Sequence, residues 1–241
     1  MMRQVPSAFD PSVMVIDEKK YLGKIIDNFY FVLEDGSEVS VVNFISNKPL
    51  IILPIFYKCM TGCPLILGSS IRAIQNINGD FNFIVLSFDK NDTISNLVEF
   101  KNSHAYYVDD SRIKFGILKD EYSVNKFTNS TGFKFFFSKP DNTFVHTLVL
   151  IFISPDGKIV RYLFGSSQKE YNIKMALREA RIGKFSFNSL IDLAFVACFT
   201  YDSRTQSYYL NPAIIFGGFG FILVLFTLTT SYLLWRRKWK T

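Results

Sequence analysis

The chain has 241 residues, 49% hydrophobic and 20% charged, which excludes a disordered protein and allows one domain with a sizeable core plus an appendage. The formal charge of +6 misleads, because four cations (Arg236, Arg237, Lys238 and Lys240) fall in the last six residues and no acid lies after Asp202. The rest is nearly balanced, which excludes the electrostatic footprint of a nucleic-acid binder. The 26 phenylalanines read as compositional bias.

In chain order, residues 1–20 are a lead-in without strong periodicity. NFYFVLEDGSEVSVVNF (28–44) places two apolar runs around the turn EDGS and predicts a β-hairpin. PLIILPIFY (49–57) is a continuous apolar run, the pattern of a strand buried on both faces. FYKCMTGCP follows, with three residues between Cys59 and Cys63 and Pro64 behind them. LILGSSIRAIQNI (65–77) is apolar at helical spacing, and FNFIVLSFD (81–89) predicts a second buried strand. DTISNLVEFKNS (92–103) opens with a helix N-cap, Asp92 or Thr93. YSVNKFTNSTGF (122–133) predicts a short helix ended by Gly132. TFVHTLVLIFI (143–153), the turn SPDG and KIVRYLF (158–164) predict an antiparallel strand pair. An amphipathic helix over 169–184, stopped by Gly183, closes the domain. Strand, helix, strand, helix, antiparallel pair and final helix give an α/β mixed sheet flanked by helices. A cysteine motif at the carboxyl end of the first central strand makes residues 21–184 a thioredoxin-like domain.

Beyond a linker at 185–211, residues 212–235 (PAIIFGGFGFILVLFTLTTSYLLW) carry no charge. That length suits a transmembrane helix, with Tyr232 and Trp235 at the interface and a basic tail, 236–241, behind. The positive-inside rule puts this C-terminus in the cytoplasm and the domain outside. Residues 1–24 show no signal-peptide core, the longest apolar run being VMVI, so the sequence is read as starting after a signal.

Thiols four residues apart on one helix face lie close enough to form a disulfide or to share a metal. A helix N-terminus favours the thiolate, which is both nucleophile and metal ligand, and Lys58 adds a cation. Two intervening residues are usual for redox pairs, and here there are three. Structural zinc asks for four ligands, whereas copper(I) accepts two or three soft ones. Of the two histidines, His104 sits in a polar stretch and reads as exposed filler. His146 interrupts an apolar strand and reads as the third ligand. Met60 reads as loop packing, and Cys198 as a buried or interfacial thiol.

Cys59-Met-Thr-Gly-Cys63-Pro64 after a buried strand, His146 after it in the chain, and ISPDGKIVRYLFG just beyond together resemble the Sco/SenC family. EDGSEVSVVNF and SFDKNDT agree with that resemblance, which covers about residues 20–182. The resemblance implies an extracytoplasmic, membrane-anchored thioredoxin-like fold that binds one copper ion, Cu(I) or Cu(II), through Cys59, Cys63 and His146. It also implies a role in maturing the binuclear copper centre of cytochrome c oxidase, with the copper-accepting oxidase subunit and a copper donor protein as partners. The chain departs from the family pattern at Val145, where an acid often precedes the histidine, and at Lys90, where proline follows the first aspartate. Its anchor is C-terminal rather than N-terminal. Asp89 and Lys58 are candidates for support around the metal. A thiol–disulfide oxidoreductase using Cys59 and Cys63 alone is the alternative, and a peroxidase-like thiol enzyme a third reading.

Overall fold

A computed structural model describes residues 15–182, 199–202 and 207–238. Contacts divide the chain into two units, residues 1–192 and 193–241.

In the first unit, β1 (Tyr30–Leu33) and β2 (Glu38–Ser40) form the expected hairpin, Tyr30 opposite Ser40. The predicted second arm ends early, because Ser40 caps a short helix, α2 (Val41–Ile45), by accepting from the Asn43 amide. α1 (Glu18–Tyr21) lies in the lead-in. The central strands are β3 (Leu50–Ile55), β4 (Asn82–Ser87) and β5 (Ile113–Leu118), parallel to one another. β5 escaped the sequence reading, since IKFGIL is short and carries Lys114 and Gly116. Gly116 is required where it stands: a Cβ there would lie 3.2 Å from the Phe31 ring and from Val32 O.

Connecting helices are α3 (Gly62–Gln75), α4 (Ile94–His104) and α5 (Glu121–Thr131). Thr93 caps α4 in a capping box with Asn96, and Gly132 ends α5 at φ 71°, in the left-handed region that glycine tolerates. The predicted strand 143–153 is two strands. β7 (Thr143–His146) pairs with β6 (Phe135–Ser138) in a separate ribbon, and β8 (Val149–Ile153) joins the main sheet beside β3. β9 (Ile159–Phe164) pairs with β8, and α6 (Glu170–Arg181) packs on it. Gly183 lies outside the described residues. The sheet order is β2-β1-β5-β4-β3-β8-β9, a mixed thioredoxin-like sheet flanked by helices.

In the second unit, β10 (Phe199–Asp202) and β11 (Ser207–Leu210) form a hairpin inside the segment predicted as a linker. The helix α7 (Pro212–Lys238) follows. Its described side chains, 216–232, are exposed or nearly so on every face, from Phe216 at 76% to Tyr232 at 57%. Among the described residues no helix is long and apolar enough to cross a membrane. The expected span is therefore found as a helix and not as a span, with the side chains of 213–215 and 233–235 outside those described. Cys198 also lies outside the described residues.

Candidate metal centre

β3 ends in a turn that carries the first cysteine. Its last residues are fully buried, and Phe56 and Tyr57 continue inward. The Tyr57 hydroxyl lies 2.8 Å from Gly116 O and 3.1 Å from Val85 O, donating across β4 and β5. The Tyr57 amide donates to Asp92 Oδ2 at 2.7 Å, and the Ser87 hydroxyl donates to the same oxygen at 2.6 Å. One carboxylate thus ties the ends of β3 and β4 together just before Cys59. The Cys59 amide then donates to Phe56 O at 3.2 Å.

Cys59 precedes α3 instead of lying on it, so the expected helix face shared by the two thiols is not how they meet. Thr61, at the N-cap position, makes no side-chain cap bond. The Cys59 sulfur takes that place, accepting from the Cys63 amide at 3.4 Å. Helix α3 therefore starts three residues earlier than its apolar periodicity predicted.

The two thiols differ. Hydrogen bonding from the Cys63 thiol, with further donors from Thr61 and the Cys63 amide, brings Cys59 down to about 6. Cys63 is completely buried; its bond to Cys59, followed by burial, holds it protonated far above the ordinary thiol range. The arrangement is a thiolate with a neutral thiol donating to it, the poise of a nucleophile beside its resolving partner.

β7 brings in the histidine. His146 Nε2 stands 3.8 Å from Cys63 Sγ, and its Nδ1 lies 3.0 Å from Thr147 O. That carbonyl engages the ring nitrogen in a chain whose preceding residue, Val145, supplies no carboxylate. Val145 faces the other side of the ribbon, opposite Phe136. Rings of Phe88, Phe133 and Phe56 surround the imidazole at 5.1, 5.8 and 5.9 Å. Burial among them lowers His146 to about 4, so the imidazole is neutral and free to act as a ligand.

Cys59, Cys63 and His146 thus stand in a chain of contacts, Cys63 in the middle. Two sulfurs and a neutral imidazole suit a soft or borderline metal. Among the described residues, no three or more His, Cys, Asp and Glu side chains are gathered as a group that could hold a metal ion.

The other candidates fall around this chain. Lys58 is exposed and its charge acts on Asp92, whose carboxyl burial pushes up. Asp89 is buried, and its Oδ1 accepts from the amide and side chain of Asn91 at 2.9 and 3.0 Å, which shapes the entry to α4. Neither side chain takes part in the hydrogen bonds described for the cysteines and His146. Met60 does not pack in the loop; it is 79% exposed. His104 is half-buried against Phe100, ring centres 4.7 Å apart, rather than free in solvent. The clamp of Asp92 and Ser87, the aromatic shell and the Thr147 carbonyl were missed. SFDKNDT held the first, but Asp92 was read only as a helix cap.

No protein-family profile matches the chain, and no curated protein matches it. Solved structures do. A candidate electron transfer protein from Aquifex aeolicus VF5 is 28% identical, over 69% of this chain and 97% of that one, at a TM-score of 0.62. BsSco, a member of the Sco family of cytochrome c oxidase assembly proteins in which a disulfide switch was identified, is 19% identical, covering 66% and 94%, at 0.53. ScoI from Arabidopsis thaliana with copper bound is 18% identical, covering 65% and 98%, at 0.52. The domain that carries Cys59, Cys63 and His146 therefore has the fold of the Sco family proteins.

Proposed function

We propose that the chain is a member of the Sco/SenC family that binds one copper ion as cargo through Cys59, Cys63 and His146 and passes it to the copper-accepting subunit of cytochrome c oxidase. The observation that carries this reading is the neutral His146 imidazole directed at Cys63, beside a thiolate at Cys59. Copper binding requires Cys59 to close the chain of contacts around the ion. Protons compete with copper for the same atoms. A copper donor protein would supply the ion.

Residues 212–235 are proposed to anchor the chain in the cell membrane, with the domain extracytoplasmic and the C-terminus cytoplasmic. Supporting this, α7 exposes large apolar side chains from Phe216 to Leu228, and the hydroxyls of Thr227, Thr229 and Thr230 bond to carbonyls within the helix.

A second reading has its own observation. The split between Cys59 and Cys63 is that of a dithiol reductant. In that role the chain reduces a disulfide of the oxidase subunit or of another exported protein. It competes with copper for the same sulfurs.

Anaerobic copper titration of the reduced full-length chain tests the first reading, beside His146→Ala and the double variant Cys59→Ser/Cys63→Ser. One copper per chain, weakened by each substitution, supports cargo binding. Copper binding indifferent to His146 overturns the three-ligand site and leaves the dithiol reading.

A further inference from the structure

The β6–β7 ribbon reaches further than the surface beneath it. Phe135, Phe137, Phe144 and His146 share one face by register. The inner end of that face is covered: Phe88 stacks on Phe135 at 4.4 Å, and the aromatic shell surrounds His146. The outer end borders a cavity of about 610 Å³ lined by Phe56, Phe137 and Phe144, the Phe144 ring packing on the other two. The turn residues Lys58, Lys90 and Asn91 line it as well. Phe137 is 47% exposed there. A second cavity of about 250 Å³ continues past Lys90, Asn91 and Phe144 on the α5 side. The two make a groove about the size of a small-ligand or short-peptide site.

The lining combines phenylalanine rings with two lysines. Lys58 and Lys90 are exposed, and neither is in the ion pairs described among these residues. Two carboxylates line the groove: Asp89, already bonded to Asn91 beside Lys90, and the exposed Glu121 at the α5 end, away from Lys58 in the lining. The lining is coupled to the site, since the Phe56 ring packs on His146 and its carbonyl accepts from the Cys59 amide.

We propose that this groove docks the protein that exchanges with Cys59, by taking an extended segment in which an aromatic side chain is flanked by carboxylates. The ring lies against Phe137 and Phe144, and the carboxylates face Lys58 and Lys90. The proposal deepens the reading above and rests on its assignment of exchange to Cys59, which adjoins the groove through Lys58 and the Phe56 carbonyl. In thiol exchange, the Cys59 thiolate attacks one sulfur of the docked partner's disulfide. A Cys59–partner disulfide forms, and the partner's other sulfur leaves as a thiolate. Cys63 loses its proton to solvent and attacks Cys59, forming the Cys59–Cys63 disulfide and releasing the second partner thiolate. The partner gains two electrons and the pair loses two. Copper transfer would use the same docked geometry with no change of oxidation state.

The test uses the reduced full-length chain in nonionic detergent and three peptides, each with one cysteine held in a mixed disulfide with thionitrobenzoate. Their flanking sequences are Glu-Phe-Glu, Lys-Phe-Lys and Glu-Gly-Glu. Release of the coloured thiolate gives the rate. The acidic aromatic peptide is expected to react about tenfold faster than the basic one and several-fold faster than the glycine one, a ratio that shrinks with salt. Phe137→Ser and, separately, Lys90→Glu are expected to bring these ratios towards one while hydroxyethyl disulfide reacts as before. Equal rates for the three peptides, or ratios untouched by both variants, overturn the groove. Sedimentation showing a dimer that Phe137→Ser dissolves also overturns it, assigning the groove to a second copy. No reaction with any disulfide, hydroxyethyl disulfide included, defeats the reading of Cys59 itself and is distinct from these outcomes.

Discussion

The cysteine turn is held by hydrogen bonds, whereas the ribbon that carries His146 is held by rings. At the turn, Asp92 accepts from the Tyr57 amide and the Ser87 hydroxyl, and Cys59 accepts from the Cys63 amide in the first turn of α3. Bonds of this kind have narrow geometry and fix the sulfur to the parallel sheet. The ribbon pairs only with itself in sheet terms and meets the domain through Phe88, Phe133 and Phe56. Ring packing is strong in sum but loose in direction. A site built from both kinds of support has one rigid half and one half that tolerates small shifts. The proposed taking up and release of copper asks for that combination.

The strongest way to break the contrast is to remove the ring at its centre. Phe88 is 1% exposed and touches Phe56, Phe133, Phe135, Phe144 and His146. Phe88→Ala is expected to cost about 3–5 kcal/mol in chemical denaturation. It should also loosen His146, read as broadened imidazole resonances, while Cys59 alkylates as before. A loss under about 1 kcal/mol would mean that the ribbon has support other than packing.

Asp92→Ala strikes the other half. It strips the partner from a buried amide and a buried hydroxyl, with an expected cost of about 2–3 kcal/mol. Asp92→Asn keeps an acceptor oxygen and should recover most of that loss. The readout specific to the turn is the alkylation rate of Cys59, which Ala should change and Phe88→Ala should not. If Asn and Ala behave alike, the clamp is not a hydrogen-bond clamp.

Protonation separates the sulfurs. Cys59, at about 6 against an ordinary 9, should be alkylated with a pH midpoint near 6, and Cys63→Ala should move that midpoint up towards the ordinary thiol. The folded chain holds fewer protons than the unfolded chain between these values. Stability from Cys59 is therefore complete above pH 9 and lost as pH falls to about 6. His146, at about 4 against 6.5, acts in the same sense at lower pH: its contribution is present above 6.5 and lost as pH falls to about 4. Cys63, held protonated, opposes folding only above its ordinary value. A midpoint near 9 for Cys59 would remove the thiolate from the site.

Most of the scaffold was legible because its strands are continuous apolar runs: Ile51–Ile55 and Phe83–Leu86 could be little else. The three chemical residues were legible because thiols and a histidine are conspicuous in such surroundings. What failed were features set by tertiary contact. Strand 143–153 breaks at Thr147 because His146 must turn towards Cys63 while Val149 enters the main sheet, and no periodicity records that. The phenylalanines read as bias, yet five of them build the wall around His146 and the groove beside it. Asp92 read as a cap because a cap is local, whereas its bond to Tyr57 spans 35 residues.

The smallest expected effect sharpens the comparison at the ribbon. An acid before the histidine would be a natural orienter for the ring, and Val145 stands in its place. In this chain Nδ1 is already engaged with the Thr147 carbonyl at 3.0 Å. Residue 145 points to the opposite face, paired across the ribbon with Phe136. A carboxylate introduced there has no short path to the ring. Val145→Asp should therefore change copper affinity by less than about threefold, well under the 10–100-fold typical of losing a true orienting partner. It should cost little stability, because Val145 is only half-buried. A tenfold tightening of copper would show that the ribbon twists far enough for residue 145 to reach Nδ1, and would place the looser half of the site at β7 itself.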